Sequence, residues 1–267
     1  MDRWSLGPCV PTLLAALTLT LTGGCLDREL AALNPCLVTG ISRRVSVNNI
    51  DKVDLLFSVD NSGSMAEEQN ALKEQFPRMI SILTTGRRRA DDPNPFPPAK
   101  DLHLAVVSSD MGAVGQKDVD GCDINGGDDG RLQNVPRGSI GCQASYPQFL
   151  SYIAGRETPT QIAQSFACIA ELGIAGCGYE QQLEAPFKAL WPSEYKDQRG
   201  NTITPNPYTF LGTTPERRKG RGDLAAPEGS LGFLRNDPAR GPSLLAVIVV
   251  TDEEDCSAQN TDHFRVV

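Results

Sequence analysis

The chain has 267 residues, of which 40 % are hydrophobic and 22 % charged, a balance that excludes extended disorder and suits one large or two small domains. The formal net charge is −8. The basic runs, Arg87-Arg88-Arg89 and Glu216-Arg217-Arg218-Lys219-Gly220-Arg221, lie in Pro- or Gly-rich segments, so charge argues against a nucleic-acid partner.

At the N-terminus, Val10 to Leu21 is an apolar stretch too short for an ordinary membrane-spanning helix. It ends at Leu21-Thr22-Gly23-Gly24-Cys25, and small residues directly before a cysteine resemble a bacterial lipoprotein signal. That resemblance implies a signal peptide over 1–24, acylation of Cys25, a tether over 25–47 and a membrane partner through the lipid anchor. Plain secretory cleavage is the alternative, and both routes export the chain. Cysteine usage fits export. With Cys9 removed and Cys25 lipidated, Cys36, Cys122, Cys142, Cys168, Cys177 and Cys256 remain, and sequence alone does not choose among their pairings. Locality favours Cys122 with Cys142 and Cys168 with Cys177, leaving Cys36 with Cys256 by elimination. His103 and His263 stand apart from the cysteines, so a zinc site is not expected.

Val53 to Val59 reads as a strand apolar on both faces, as in a sheet covered by helices on each side. Ala66 to Leu83 is helical by period, with Leu72, Phe76, Met79, Ile80 and Leu83 on one stripe and Pro77 expected to kink or split it. Leu102 to Val107 is a second strand that carries His103 as a face residue. From 110 to 145 runs a polar insert. Its stretch Asp118 to Gly130 alternates acids with glycines but lacks the EF-hand spacing and closing glutamate, so a solvated, turn-rich loop is expected rather than a calcium site. Thr158-Pro159-Thr160-Gln161 opens a helix with a capping box, and Ile162, Phe166 and Ile169 form its buried stripe. Glu180 to Trp191 predicts another helix with Leu183, Phe187 and Leu190 inward. A second insert, 192–242, is rich in Gly, Pro and charge, and Gly232-Phe233-Leu234-Arg235 within it reads as a short packed element. Leu244 to Val250 is the most hydrophobic strand, and it runs into Thr251-Asp252-Glu253-Glu254-Asp255.

Strands alternating with helices, two of them ending in acids, predict an α/β fold with a doubly wound, mostly parallel sheet flanked by helices. Sites in such sheets form beyond the carboxyl ends of the strands, so both acidic ends fall on one edge. Alternate spacing turns Asp60, Ser62 and Ser64 the same way, Gly63 permits a tight bend, and Asp252 adds a second carboxylate. Two carboxylates, two hydroxyls and water make an oxygen-only shell suited to Mg²⁺.

Asp60-Asn61-Ser62-Gly63-Ser64 matches the DxSxS signature of the von Willebrand factor type A domain, and Val250-Thr251-Asp252 is similar to its second acidic strand end. The resemblance covers Val53 to about Asp255, placing such a domain at 48–267 with the two inserts inside it. It implies a Rossmann-like fold with a metal ion-dependent adhesion site for Mg²⁺, with Mn²⁺ or Ca²⁺ as substitutes. Ser62 and Ser64 would be direct ligands, Asp60 and Asp252 would act through water, and an acid of a partner often completes the shell in that family. The family's threonine ligand follows a glycine pair. Here Gly176-Cys177-Gly178-Tyr179-Glu180 offers no threonine, leaving Glu180 as its substitute or the position vacant. Family members also carry further strands after the one ending at Asp252, so a truncated chain is expected. The export signal and inserts resemble those of bacterial cell-envelope lipoproteins. The function implied is a non-enzymatic, envelope-tethered, metal-dependent adhesion module for a protein or cell-surface ligand. The alternatives are a metal-dependent hydrolase using Glu253, Glu254 or Asp255 as base, and a structural envelope protein whose metal stabilises the fold. No Cys/His pair or Gly-x-Ser-x-Gly elbow supplies a nucleophile for the hydrolase.

Overall fold

In the computed structural model of the protein the described residues are 50–117, 119, 121–137, 141–196, 199–203, 209–222, 232–235 and 243–258. The expected signal and tether, Cys25, Cys36 and His263 lie outside them. In chain order the elements are β1 (Lys52–Val59), α1 (Ala66–Thr85), β2 (Asp101–Ser108), β3 (Leu150–Ile153), α2 (Pro159–Ala170), α3 (Glu184–Leu190), β4 (Tyr195–Lys196), β5 (Thr202–Ile203) and β6 (Ser243–Val250). A 3₁₀ turn, Glu216–Arg218, lies between β5 and β6.

The sheet runs β3-β2-β1-β6. β2 and β6 are parallel to β1, and β3 is antiparallel to β2. This mixed, open order is consistent with a Rossmann-like doubly wound sheet, from which the antiparallel β3 departs. The parallel registers place Val59 opposite both Ser108 and Val250, so the three strands finish level. The helices divide between the faces. α1 and α2 cover one, where Phe57, Phe76 and Phe166 meet edge to face with centroids 4.5 to 5.7 Å apart. On the other face, Ala185 and Ala189 of α3 pack with Leu56, Ala105, Val107 and Met111. β1 and β2 are therefore buried on both sides, as the apolar residues on both faces of each predict. β6 is different. It stands at the edge of the described sheet, with Leu244, Leu245, Val247 and Val249 between 37 and 46 % exposed.

Pro77 neither splits nor ends α1. It lies on the exposed side of the helix, where a missing backbone hydrogen bond is least costly. The helix stops instead at Gly86, whose φ of 71° supplies a left-handed cap. The α2 reading holds, with Ile162, Phe166 and Ile169 buried and Thr158 Oγ1 accepting from the Gln161 amide. α3 differs from expectation. It starts at Glu184 rather than Glu180, and Leu183 and Phe187 are exposed. Its inward face is Ala185, Ala189 and the fully buried Lys188, because only small residues fit close against β1 and β2 and because an acid awaits the lysine. β3 follows a polar loop and carries only four residues, too few to stand out by alternation.

The disulfides are Cys122–Cys177 and Cys142–Cys168, not the local pairs. The insert at 110–145 folds back over α2 and the segment after it, so cysteines distant in sequence meet in space. The Cys36–Cys256 pairing involves a residue outside the described ones. Several of the insert's described acids are matched by groups of the chain itself. Asp123 accepts from the Asn125 amide, and Asp128 takes the Ser108 hydroxyl and Arg137, each at 2.5 Å. Asp129, at φ 60°, is clasped by Lys188 and Arg221, with Arg217 at 3.8 Å. Lysine and arginine do there what a calcium ion would have done. Asp54, inside β1, is treated alike. Arg235 Nε donates to it at 2.7 Å, and Phe233 beside that arginine is buried as the packed element predicts. His103 sits 3.6 Å from Asp54 and 2.8 Å from the Phe233 carbonyl, and burial holds its imidazole below the ordinary value.

Two outcomes follow from this packing. Peptide mapping without reduction should recover Cys122 linked to Cys177 and Cys142 linked to Cys168, and recovery of Cys122 joined to Cys142 would contradict the fold. Asp129→Asn should lower urea-unfolding stability by roughly 3–5 kcal/mol, because Lys188 and Arg221 lose their counter-charge.

Candidate metal centre

The level strand ends bring Asp60, Ser109 and Thr251 side by side. The Asp60 amide donates to the Val250 carbonyl at 2.9 Å, and the Ser109 amide to the Val59 carbonyl at 3.1 Å. Asp60 is fully buried. One oxygen accepts from the Ser62 amide at 2.8 Å, the other from the Thr251 hydroxyl at 2.7 Å. The first of these is a local turn, and it aims the loop so that Ser62 and Ser64 face the same way. Ser62 Oγ and Ser64 Oγ are 3.2 Å apart, and Ser64 Oγ is 3.2 Å from Asp252 Oδ1. Four of the expected residues thus meet at one edge. They do not serve as helix caps, for the N-cap of α1 is Met65 and no side chain caps the helix there. Gly63 needs neither positive φ nor extra room, so the bend does not depend on glycine.

The fifth candidate, Glu180, also reaches this edge. It is fully buried, and apart from its own amide and the neighbouring Glu253 carboxyl no donor reaches its carboxylate oxygens. Asp60 and Glu253 are the charges that act on it, with Glu253 near enough to share a proton. Burial pushes its carboxyl up to about 7, and those two acids push the same way. Nearby, the Asn61 amide and the Ser109 hydroxyl are buried without partners. Among the described residues no lysine or arginine pairs with Asp60, Glu180 or Asp252. Orphaned polar atoms at this density call for ordered water or an ion.

The loop carrying Glu180 is positioned by residues that sequence reading passed over. Gln69 is buried in α1 and donates to the carbonyls of Asp60 at 2.8 Å and Gly173 at 2.9 Å, while its own oxygen accepts from the Leu172 amide at 3.1 Å. One signal was available, since Gln69 interrupts the buried side of α1 four residues after Met65 and seven before Phe76. Gly176 donates its amide to the Asn61 carbonyl at 2.8 Å, and a side chain there would collide with Asn61. After β6 the Cys256 amide donates to the Glu180 carbonyl at 2.8 Å, and Asp255 and Ser257 accept from the first amides of α3. Thr251 was likewise unread as a site residue, and Glu253, read only as a candidate base, stands beside Glu180 instead.

The donor set is hard oxygen throughout, with hydroxyls and carboxylates mixed. Cis ligands on octahedral Mg²⁺, each about 2.1 Å from the ion, lie about 3 Å apart. The Ser62, Ser64 and Asp252 oxygens, 3.2 Å from one another in sequence along the edge, fit that spacing. Among the described residues no group of three His, Cys, Asp or Glu side chains could alone hold a metal, so the serines would be indispensable. Compared with protein-family models, curated proteins and solved structures, the chain matches none.

Glu180 makes metal-free stability depend on pH. Its carboxyl moves from an ordinary 4.5 to about 7 in the folded protein, so between those values the folded state keeps a proton that the unfolded state has lost. Stability in EDTA should therefore fall as pH rises through that window, by on the order of 3 kcal/mol, and level off above it. Urea midpoints at the two ends of the window should show this fall in the parent and much less of it in Glu180→Gln. An equal fall in both would place its source elsewhere.

Proposed function

We propose that this edge holds a Mg²⁺-type ion and that the protein is a metal-dependent binding module for a protein or cell-surface ligand. The observation that carries the reading is the meeting of the Ser62, Ser64 and Asp252 oxygens with two buried carboxylates, Asp60 and Glu180, that no cation of the described chain neutralises. Ser62 and Ser64 would hold the ion, and Asp60, Asp252 and Glu180 would balance its charge directly or through water. The ion supplies an electrophilic point to which a ligand oxygen attaches. Thr251 and Gln69 keep Asp60 and the Glu180 loop in place. The von Willebrand type A resemblance of the DxSxS stretch points the same way.

The address proposed is the bacterial envelope, with Cys25 as lipid anchor. Two disulfides accord with an extracytoplasmic location. Among the described residues no helix is long and apolar enough to cross a membrane. A structural reading, in which Glu180 and Glu253 share a proton in place of a cation, has the closeness of those two acids in its favour.

Calorimetric titration with Mg²⁺ and Mn²⁺ separates the two readings. The parent should take up one ion, and the double variant Asp60→Ala, Ser62→Ala should take up none while still unfolding cooperatively. A folded parent that binds neither metal would leave the structural reading standing alone.

A further inference from the structure

Resting on the metal reading above, we infer that Ser109, at the end of β2, is a further positioning residue for the ion, its buried hydroxyl holding one of the waters that the ion keeps. Its place follows from register. Asp60 and Ser109 each extend their strand one residue past the paired Val59 and Ser108, and the Ser109 amide continues the ladder by donating to the Val59 carbonyl at 3.1 Å. Thr251 extends β6 in the same way. Side chains alternate along a strand. Leu56 and Ser58 of β1 face α3 and the segment leading into it, as do Ala105 and Val107 of β2. Two residues on from Ser58 and Val107, Asp60 and Ser109 face that side as well. Asp60 is therefore flanked by a hydroxyl on either hand.

The two hydroxyls differ in their partners. Thr251 donates to Asp60 Oδ2 at 2.7 Å and accepts from Gln182 Nε2 at 2.9 Å. Ser109 is fully buried, and its hydroxyl has no hydrogen-bond partner among the described residues. The other buried serines are engaged. Ser58 donates to the Gln182 carbonyl at 3.1 Å, Ser108 to Asp128 at 2.5 Å, and Ser62 lies 3.2 Å from Ser64. Gln181, whose backbone lies against Ser109, does not serve the hydroxyl either. Its amide goes to the Ser109 carbonyl at 3.0 Å and its Nε2 to the Gly112 carbonyl at 3.1 Å. A hydroxyl buried without a partner is costly, and one that folding leaves at a strand end beside Asp60 points to a group from outside the chain. Mg²⁺ bound by few protein groups keeps several waters. A water on the ion's inner side would have Asp60 to accept one proton and Ser109 Oγ to accept the other.

The test sets metal affinity against metal-free stability in the purified protein, with Mn²⁺ calorimetry for the first and urea midpoints in EDTA for the second. Ser109→Ala should raise the Mn²⁺ Kd by about tenfold, the effect of losing a group that orients a metal's ligands from behind. In EDTA its midpoint should equal or exceed the parent's, because the substitution removes an unpartnered hydroxyl and breaks no bond of the fold. Ser108→Ala is the control. It deletes the neighbouring buried hydroxyl, which Asp128 engages, so it should lower the EDTA midpoint and leave the Kd unchanged. A Ser109→Ala Kd equal to the parent's would overturn the inference and leave the metal reading intact. So would a raised Kd accompanied by a midpoint as low as that of Ser108→Ala, since Ser109 would then be supporting the fold alone. A folded parent that takes up no Mn²⁺ would overturn the metal reading and this inference with it.

Discussion

A carboxylate at the end of a core strand dictates the arrangement of this molecule's upper edge. Asp60 has no exposure, and leaving it without partners would cost several kcal/mol. Its two oxygens are met by the Ser62 amide and the Thr251 hydroxyl, one from its own loop and one from the end of β6. That pair of bonds requires β1 and β6 to end level, which their parallel register achieves. The same turn lines up Ser62 and Ser64, and the Asp60 carbonyl anchors Gln69, through which the loop leading to Glu180 is held. Loss of the Asp60 carboxylate would therefore loosen the strand ends, the serine pair and the loop together.

Two other buried acids show how this chain ordinarily handles the problem. Asp54 lies in the middle of β1 and receives Arg235 from the second insert. Asp129 lies in the first insert and receives Lys188 from α3 and Arg221 from the second insert. Both arrangements tie irregular segments to the sheet, and removing either partner would leave a buried charge uncompensated. Asp60 and Glu180 break the pattern. They are as deeply buried, yet only neutral donors reach Asp60, and no lysine or arginine of the described residues reaches Glu180. Among the described residues lysine or arginine stands at two of these sites and at the third none does, and this contrast supports the metal reading proposed for the third.

The inserts carry more of the architecture than their composition implies. Gly, Pro and charge mark them as surface connections, but Asp128 and Asp129 of the first organise a charged cluster beneath α3. Cys122–Cys177 ties that insert to the loop three residues before Glu180. The acidic edge is thus buttressed from one side by the disulfide and from the other by the chain after β6, whose Cys256 amide meets the Glu180 carbonyl.

What sequence by itself determined was local in origin. Apolar runs with acids after them named β1 and β6, helical period and a threonine cap named α2, and alternate spacing placed Asp60, Ser62 and Ser64 on one side of a loop. Each follows from backbone geometry over a few residues, which a sequence displays directly. The tertiary structure alone decided the disulfide partners, the inward face of α3, the antiparallel β3, and the roles of Gln69, Thr251 and Glu253. Those depend on which distant segments come into contact. Cys122 found Cys177 rather than Cys142 because the first insert doubles back, and Lys188 turned inward because Asp129 arrived from 59 residues away to receive it. Whether a buried charge is stabilised depends on the partners that folding brings to it, and sequence proximity does not encode them.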